Sequence, residues 1–221
     1  MKFVIVFYFI CLGCSLYAQE QDVRRILSNE EALEFIDSLR NRYGYNKEIP
    51  DEIQLPALVA LSAYPELAET CIVFRYKKIR TTMSALPGEG LLAGRNNRVY
   101  VININEQAKK SGTLQFDELS FNARVGVIGH ELAHIEFYTK SSGVKLFLVG
   151  LGYLLPFYKK KFERTADQTT IYAGLGWQLY DFDKYLFDSE HVGVKYLKRK
   201  RKFYLSPEEI YDLVLISQLS F

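Results

Sequence analysis

Two histidines and a glutamate form the pattern in this chain that is most directly suited to chemistry. His130, Glu131 and His134 make a His-Glu-x-x-His run inside a segment whose pattern predicts one amphipathic helix. Residues i and i+4 lie one above the other on a helix face, so both imidazoles can reach one Zn²⁺. Zinc lowers the pKa of a bound water toward ~7, and the Glu131 carboxylate beside it can then act as a general base. The alternative is an ordinary helix whose histidines face solvent or make a polar contact in the core.

A catalytic zinc needs a third protein ligand and one open position, so the downstream sequence has to supply another donor. Glu163 is the candidate, in a stretch that can be helical. Asp167 lies one helical turn further on, which is the offset expected for a carboxylate that orients a ligand imidazole. The alternative is that both acids are exposed and form ion pairs with Arg164 or with the lysines at 159–161.

The two motifs together resemble those of the gluzincin metallopeptidases. His-Glu-Leu-Ala-His at 130–134, followed by Glu-Arg-Thr-Ala-Asp at 163–167, is similar to the pattern of the CAAX-prenyl-protease and heat-shock membrane-protease branch. The resemblance covers roughly residues 99–173, about a third of the chain. The chain departs from that branch because it lacks long spanning helices.

The resemblance implies a zinc-dependent endopeptidase that acts on a peptide or protein. In it, His130, His134 and Glu163 would be the ligands of Zn²⁺, Glu131 the base and Asp167 the orienting residue. Two other functions remain open: a binding or assembly protein that keeps zinc for structure and has lost turnover, and a zinc amidohydrolase that acts on a non-protein amide. Glu131 argues against the first, since a structural zinc site does not need a base.

No motif in the sequence marks the donor that would stabilise the oxyanion of such a reaction. His191, the remaining histidine, is one candidate because it follows the segment that carries Glu163. Tyr172 and Tyr180 compete for the same role. The alternative for His191 is an ordinary surface or structural histidine.

The N-terminus predicts export. Met1 and Lys2 precede an apolar run at residues 3–12, and small residues follow near Ala18, in the order and length of a signal peptide. Cleavage after Ala18 is the first interpretation, lipid attachment at Cys14 is the second and a retained anchor is the third. We therefore expect a secreted or periplasmic protein, with a signal peptide at 1–18 and a single zinc metallopeptidase-like domain at 19–221.

Composition narrows the functional classes that remain open for this chain. The 28 basic and 26 acidic residues give a formal net charge of +2, which predicts no general affinity for nucleic acid. Two of the three cysteines lie in the predicted leader, so a disulfide framework is excluded for the mature chain. Cys71 is predicted to be a small buried hydrophobic residue rather than a reactive thiol. The oligomeric state is not determined by these features.

The predicted elements are helices around a small antiparallel or mixed sheet, so the expected fold class is α+β, a mostly helical zincin-like domain. Each element is marked by hydrophobic periodicity or by capping residues. They are a helix opened by a capping box at Ser28, a helix over 52–62, strands over 72–76 and 99–105, the motif helix from Asp117 as N-cap to Tyr138, and a final helix opened at Ser206.

Three further segments have both a functional and a structural interpretation. The strand at 99–105 is either an edge strand that pairs with an extended substrate or a core strand of the sheet, and residues 81–85 could line the same cleft. Residues 144–158 are apolar except for Lys145, yet as a helix they would span only about 22 Å. A core helix or a cleft wall is therefore favoured over membrane contact. The basic run at 198–202 is interpreted as a solvated helix end, with contact to anionic lipid as the alternative.

Overall fold

The computed structural model describes residues 28–88 and 98–219. The predicted signal peptide, including Cys14 and the cleavage position after Ala18, lies outside these residues. Within the described part of the chain, no helix is both long enough and apolar enough to cross a membrane.

Helices make up most of the described residues. They are α1 (Asn29–Glu34), α2 (Ile36–Tyr43), α3 (Gln54–Ser62), α4 (Ala108–Ser111), α5 (Phe121–Thr139), α6 (Gly143–Gly152), α7 (Pro156–Thr170), α8 (Gly176–Asp188), α9 (Val194–Phe203) and α10 (Pro207–Leu219). The strands are β1 (Lys47–Glu48), β2 (Cys71–Lys77), β3 (Met83–Pro87) and β4 (Val99–Asn105).

The four strands form one mixed sheet in the order β1-β2-β4-β3. β1, β2 and β4 run parallel, whereas β3 is antiparallel to β4. The expected α+β class with a small mixed sheet is therefore confirmed. Cys71 begins β2 and is a free thiol, but it is only partly buried.

Short polar sequences set the ends of several helices, as the sequence predicts. The Ser28 hydroxyl accepts from the Glu31 N–H in a complete capping box, and Ser206 and Glu209 make the same reciprocal pair at α10. The predicted N-cap of the motif helix was wrong. Asp117 lies in a separate 3₁₀ turn, the chain extends at Leu119, and Ser120 caps α5 by accepting from the Ala123 N–H.

The motif helix α5 is the centre of the fold. It packs against α3, α7, α8 and β3, and it is buried on nearly every side. An amphipathic helix was the expectation, but a helix surrounded by other elements needs no solvent face. Its burial keeps water away from the motif residues except where a cleft reaches them.

Strand β4 lies in the interior of the sheet. All seven of its residues pair with β2, and Tyr100 to Ile104 also pair with β3. The hypothesis that Val99–Asn105 is an edge strand for substrate is therefore wrong, because its backbone groups are already used on both sides. The edge position beside α5 belongs to β3, which the sequence patterns did not mark as a strand.

The apolar segment at 144–158 lies mostly at the surface. Within α6, only Leu146 and Val149 are buried, and Leu148 is 58% exposed. The expectation of a core helix was therefore wrong for most of the segment. The elements that pack against α5 are α3, α7, α8 and β3, and α6 buries only one narrow stripe of its surface.

Close backbone packing between α5 and α8 leads to a stability prediction. A Cβ atom added at Gly126 would lie 2.1 Å from the Gln178 carbonyl oxygen, whereas one added at Gly150 of α6 would meet nothing within 4 Å. We expect Gly126→Ala to lower the free energy of unfolding by about 3 kcal/mol or more, because two backbones must separate. Gly150→Ala should raise it by about 0.5–1 kcal/mol. Equilibrium urea denaturation measures both, and equal effects at the two glycines would contradict this packing.

Candidate metal centre

Helices α5 and α7 bring the two predicted motifs together. His130 Nε2 and His134 Nε2 lie 3.2 Å apart on α5. The Glu163 Oε2 atom of α7 lies 3.4 Å from the first nitrogen and 3.3 Å from the second. These three buried residues form a group that could hold a metal ion.

Buried hydrogen bonds hold the backbone of this group in place. The Tyr64 hydroxyl donates to the Gly129 carbonyl, next to His130, at 2.8 Å. The same hydroxyl lies 3.4 Å from Thr170 Oγ1 at the end of α7. Tyr64 therefore connects the helix that carries the two histidines to the helix that carries Glu163.

The electrostatics of the group favour a positive charge between its members. Burial opposes a proton on His130, but Asp167 and Glu163 outweigh it and raise the pKa of His130 to about 10. Burial also acts to raise the pKa of Glu163, yet His130 and His134 hold this pKa well below its ordinary value. A cation is therefore stabilised at the point where the three side chains meet.

Asp167 lies against one of the imidazoles. Its Oδ1 atom lies 2.8 Å from His130 Nδ1, and its Oδ2 atom accepts the Leu205 N–H at 2.9 Å. His130 therefore has a carboxylate near each ring nitrogen, Asp167 at Nδ1 and Glu163 at Nε2. A tautomer with its proton on Nδ1 would leave Nε2 free to bind a metal ion. The alternative of two exposed acids is wrong, since Glu163 and Asp167 are both buried and Arg164 pairs with Glu209 instead.

Glu131 lies beside the metal-binding group and is buried. Burial raises the pKa of Glu131, while the neighbouring His130 and His134 oppose that shift. The Ala85 N–H of β3 donates to its carboxylate. Glu131 is therefore held between the histidines and the edge strand of the sheet.

A cleft of about 580 Å³ opens over these residues. One wall is β3 with the preceding Thr81, and another is α6. The expectation that the apolar segment at 144–158 forms a cleft wall is therefore confirmed for part of it. The side chains at its base are His130, Glu131, His134, Tyr153, Glu163 and Tyr204. The expectation that residues 81–85 border the same cleft is confirmed for Thr81, Met83, Ser84 and Ala85.

Two tyrosines at the site were missed by the sequence analysis. The Tyr153 hydroxyl donates to Glu163 Oε1, and the Tyr204 ring lies 5.6 Å from the His130 ring. Burial raises the pKa of both phenols, so both remain protonated donors. No fixed spacing links either tyrosine to a motif, because each reaches the site from a different element.

The proposed oxyanion donors lie elsewhere. His191 is exposed between α8 and α9 and does not line the cleft. Tyr172 is 68% exposed, and Tyr180 packs against Trp177 and Tyr211.

A buried ion pair lies near the candidate metal-binding group, and its Lys200 lines a small hollow together with His130. Lys200 Nζ is 2.9 Å from Asp183 Oδ1 and 3.9 Å from the centre of the Tyr204 ring. The interpretation of 198–202 as a solvated helix end is therefore wrong for Lys200, which points into the core. The positive charge of Lys200 offsets the negative charge of Asp183, which would otherwise be an unpaired acid in the interior near Asp167.

No family model, curated protein or solved structure matches this chain.

The ligand group predicts a clear order of effects on metal binding. With Zn²⁺ as the probe, His130→Ala, His134→Ala and Glu163→Ala should each lower the affinity by more than about 100-fold, because each removes a donor atom. Asp167→Ala should lower it by about 10- to 100-fold, because it only orients a donor. His191→Ala, which changes the third histidine of the chain, should have no effect. A competition titration against a chromophoric chelator measures all five, and an unchanged affinity for Glu163→Ala would exclude Glu163 as a ligand.

The buried ion pair predicts a stability difference within one helix. Lys200→Met should lower the free energy of unfolding by about 3–5 kcal/mol, because Asp183 loses its partner in the interior. Lys198→Met on the exposed side of α9 should change it by less than about 0.5 kcal/mol. Adding Asp183→Leu to Lys200→Met should recover most of the loss. Urea denaturation tests this, and no recovery in the double variant would mean that the loss comes from packing rather than charge.

Proposed function

We propose that this chain is an exported zinc-dependent endopeptidase of gluzincin type. The single observation that carries the proposal is the near-equilateral triangle of ligand atoms, with sides of 3.2, 3.3 and 3.4 Å. Metal–ligand bonds of ~2.0–2.1 Å in a tetrahedral zinc site require neighbouring donors to be about 3.3–3.4 Å apart. Two imidazoles and one carboxylate are also a donor set of catalytic zinc sites.

Glu131 is the residue that we assign to proton transfer. When bound, zinc would lower the pKa of a water and polarise the carbonyl of the scissile bond. Glu131 lines the same cleft as His130, His134 and Glu163, so its carboxylate is in position to accept a proton from the attacking water. It would then deliver that proton to the leaving amine, and no covalent intermediate with the protein is needed.

An extended peptide is the substrate that best fits the cleft. β3 is one of the two edge strands of the sheet, it lines the cleft along its whole length, and its Ala85 contacts Glu131. A peptide that adds to this edge would pair with backbone groups of β3 other than the Ala85 N–H, which donates to Glu131. Its own backbone carbonyl would then lie beside the base, whatever its sequence. We therefore assign to β3 the role that the sequence suggested for β4.

Arg199 and Tyr204 are the donors that we assign to the oxyanion in place of His191. Both line the cleft together with Glu131 and the metal-binding group. A guanidinium and a protonated phenol can each donate to the negative oxygen that develops on the carbonyl.

The two alternative functions differ from this proposal in ways that can be measured. A structural zinc protein would bind zinc but cleave no peptide, and it would not need a buried carboxylate such as Glu131 in an open cleft. A zinc amidohydrolase would cleave a small non-protein amide and would leave β3 unused. The edge strand favours the peptidase.

We expect Glu131→Gln to abolish peptide hydrolysis while zinc content stays near one ion per chain, because Gln keeps the shape but cannot accept a proton. Loss of a general base typically costs about 10²- to 10⁴-fold in rate. Glu136→Gln is the matched control, since Glu136 lies on the same helix but pairs with Lys140 outside the catalytic group. The readouts are a fluorogenic peptide library and elemental analysis.

Activity of Glu131→Gln within about tenfold of the parent would refute the base assignment. Zinc binding without cleavage of any library peptide by the parent protein would favour the binding or assembly protein. Cleavage of acylated amines but not of peptides would favour the amidohydrolase.

A further inference from the structure

A concentrated apolar surface lies on α6 and the first turn of α7. We call it the α6 face, and it consists of large hydrophobic side chains that are each at least 49% exposed: Val144, Phe147, Leu148, Leu151, Leu154, Leu155 and Phe157. The most exposed is Leu154, at 79%. Contiguous exposed apolar surface of this kind marks a site of interaction rather than ordinary surface.

The charged residues within the segment that carries the α6 face are lysines. Between residues 144 and 162 the chain carries Lys145 and the lysines at 159–161 and no acidic residue. Lys145, Lys161 and Lys140 also line a hollow of about 570 Å³ next to Phe157. Among the described residues that line this hollow, the one acid is Glu136, which is paired with Lys140.

These charges distinguish between the surfaces that could cover the α6 face. A second copy of the chain would bring one lysine border against another, and like charges at an interface oppose association. An anionic lipid surface offers acyl chains for the apolar residues and phosphates for the lysines at their edge. The face therefore fits a bilayer better than it fits itself.

We propose that the α6 face docks on the surface of an anionic lipid bilayer. The helix would lie in the interface with its apolar side chains among the headgroups and upper acyl chains. At ten residues α6 is about 15 Å long, which suits this position and not a crossing of the ~30 Å hydrocarbon layer.

Docking would bring the cleft to the membrane. Phe147, Val149 and Leu151 belong to the same helix and line the cleft over the metal-binding group. A substrate would then be taken from the membrane surface or from a membrane-proximal segment of another protein. The docking itself does not rest on the proposed peptidase activity, and its test uses no turnover.

The first experiment measures partition of the full chain into vesicles of neutral phosphatidylcholine, with and without about one third phosphatidylglycerol. We expect binding to the anionic vesicles, and about tenfold weaker binding for Leu154→Asp, since it puts a charge where the acyl chains should be. Lys160→Glu and Lys161→Glu should each weaken the binding to anionic vesicles by about fivefold or more.

Matched variants outside the face serve as controls for this experiment. Leu33→Asp alters an exposed leucine of α1, and Lys110→Glu alters an exposed lysine of α4. Neither should change the partition by more than about twofold. All variants keep the same N-terminus, so a contribution from residues 1–27 cancels in the comparison.

The second experiment locates the contact directly. Phe157→Trp and Phe35→Trp place an indole at two phenylalanines of similar exposure, 73% and 60%, and the parent with its single Trp177 supplies the background. Anionic vesicles with brominated acyl chains should quench the fluorescence of Trp at 157 and leave that of Trp at 35 unchanged.

Several results would overturn the proposal. These are equal binding of the parent and Leu154→Asp, binding to neutral vesicles that the lysine reversals do not weaken, and absence of quenching at position 157. A dimer that Leu154→Asp dissociates would assign the face to a second copy. A blue-shifted Trp emission at 157 without vesicles would assign it to another part of the same chain.

Discussion

The approach of Glu163 to two imidazoles is the interaction on which the rest of the structure depends. A carboxylate in the interior is costly unless it is paired, and here its partners are His130 and His134 on another helix. Helices α5 and α7 must therefore keep a fixed position relative to each other. The hydroxyls of Tyr64 and Tyr153 contribute to this, one through the backbone of α5 and the other through Glu163 itself.

The other buried acids close to Glu163 also need partners that offset their negative charge. Asp167 lies between His130 and the backbone of Leu205, so its charge is divided between the site and the segment before α10. Asp183 is close enough to Asp167 for their negative charges to repel each other. Lys200, on α9, offsets the charge of Asp183. The C-terminal helices are thus part of the electrostatic support of the candidate metal centre.

The segment that connects α5 and α7 leaves most of its apolar side chains exposed. The elements that pack against α5 are α3, α7, α8 and β3, and within α6 only Leu146 and Val149 are buried. Its other large hydrophobic side chains are exposed, and two of them, Phe147 and Leu151, also line the cleft. One helix therefore supplies both a cleft wall and a candidate membrane contact.

The sequence by itself determined the features that depend on local spacing. The i,i+4 offset placed His130 and His134 on one helix face, and Ser28 and Ser206 marked helix starts. Glu163 was a reasonable candidate, but only the packing of α7 on α5 brought it to 3.3–3.4 Å from the imidazoles. Tertiary structure alone decided that β3 is the edge strand, that Tyr153, Tyr204 and Lys200 support the site, and that α6 is exposed. Distances between separate elements depend on how the whole core packs, and no local pattern encodes them.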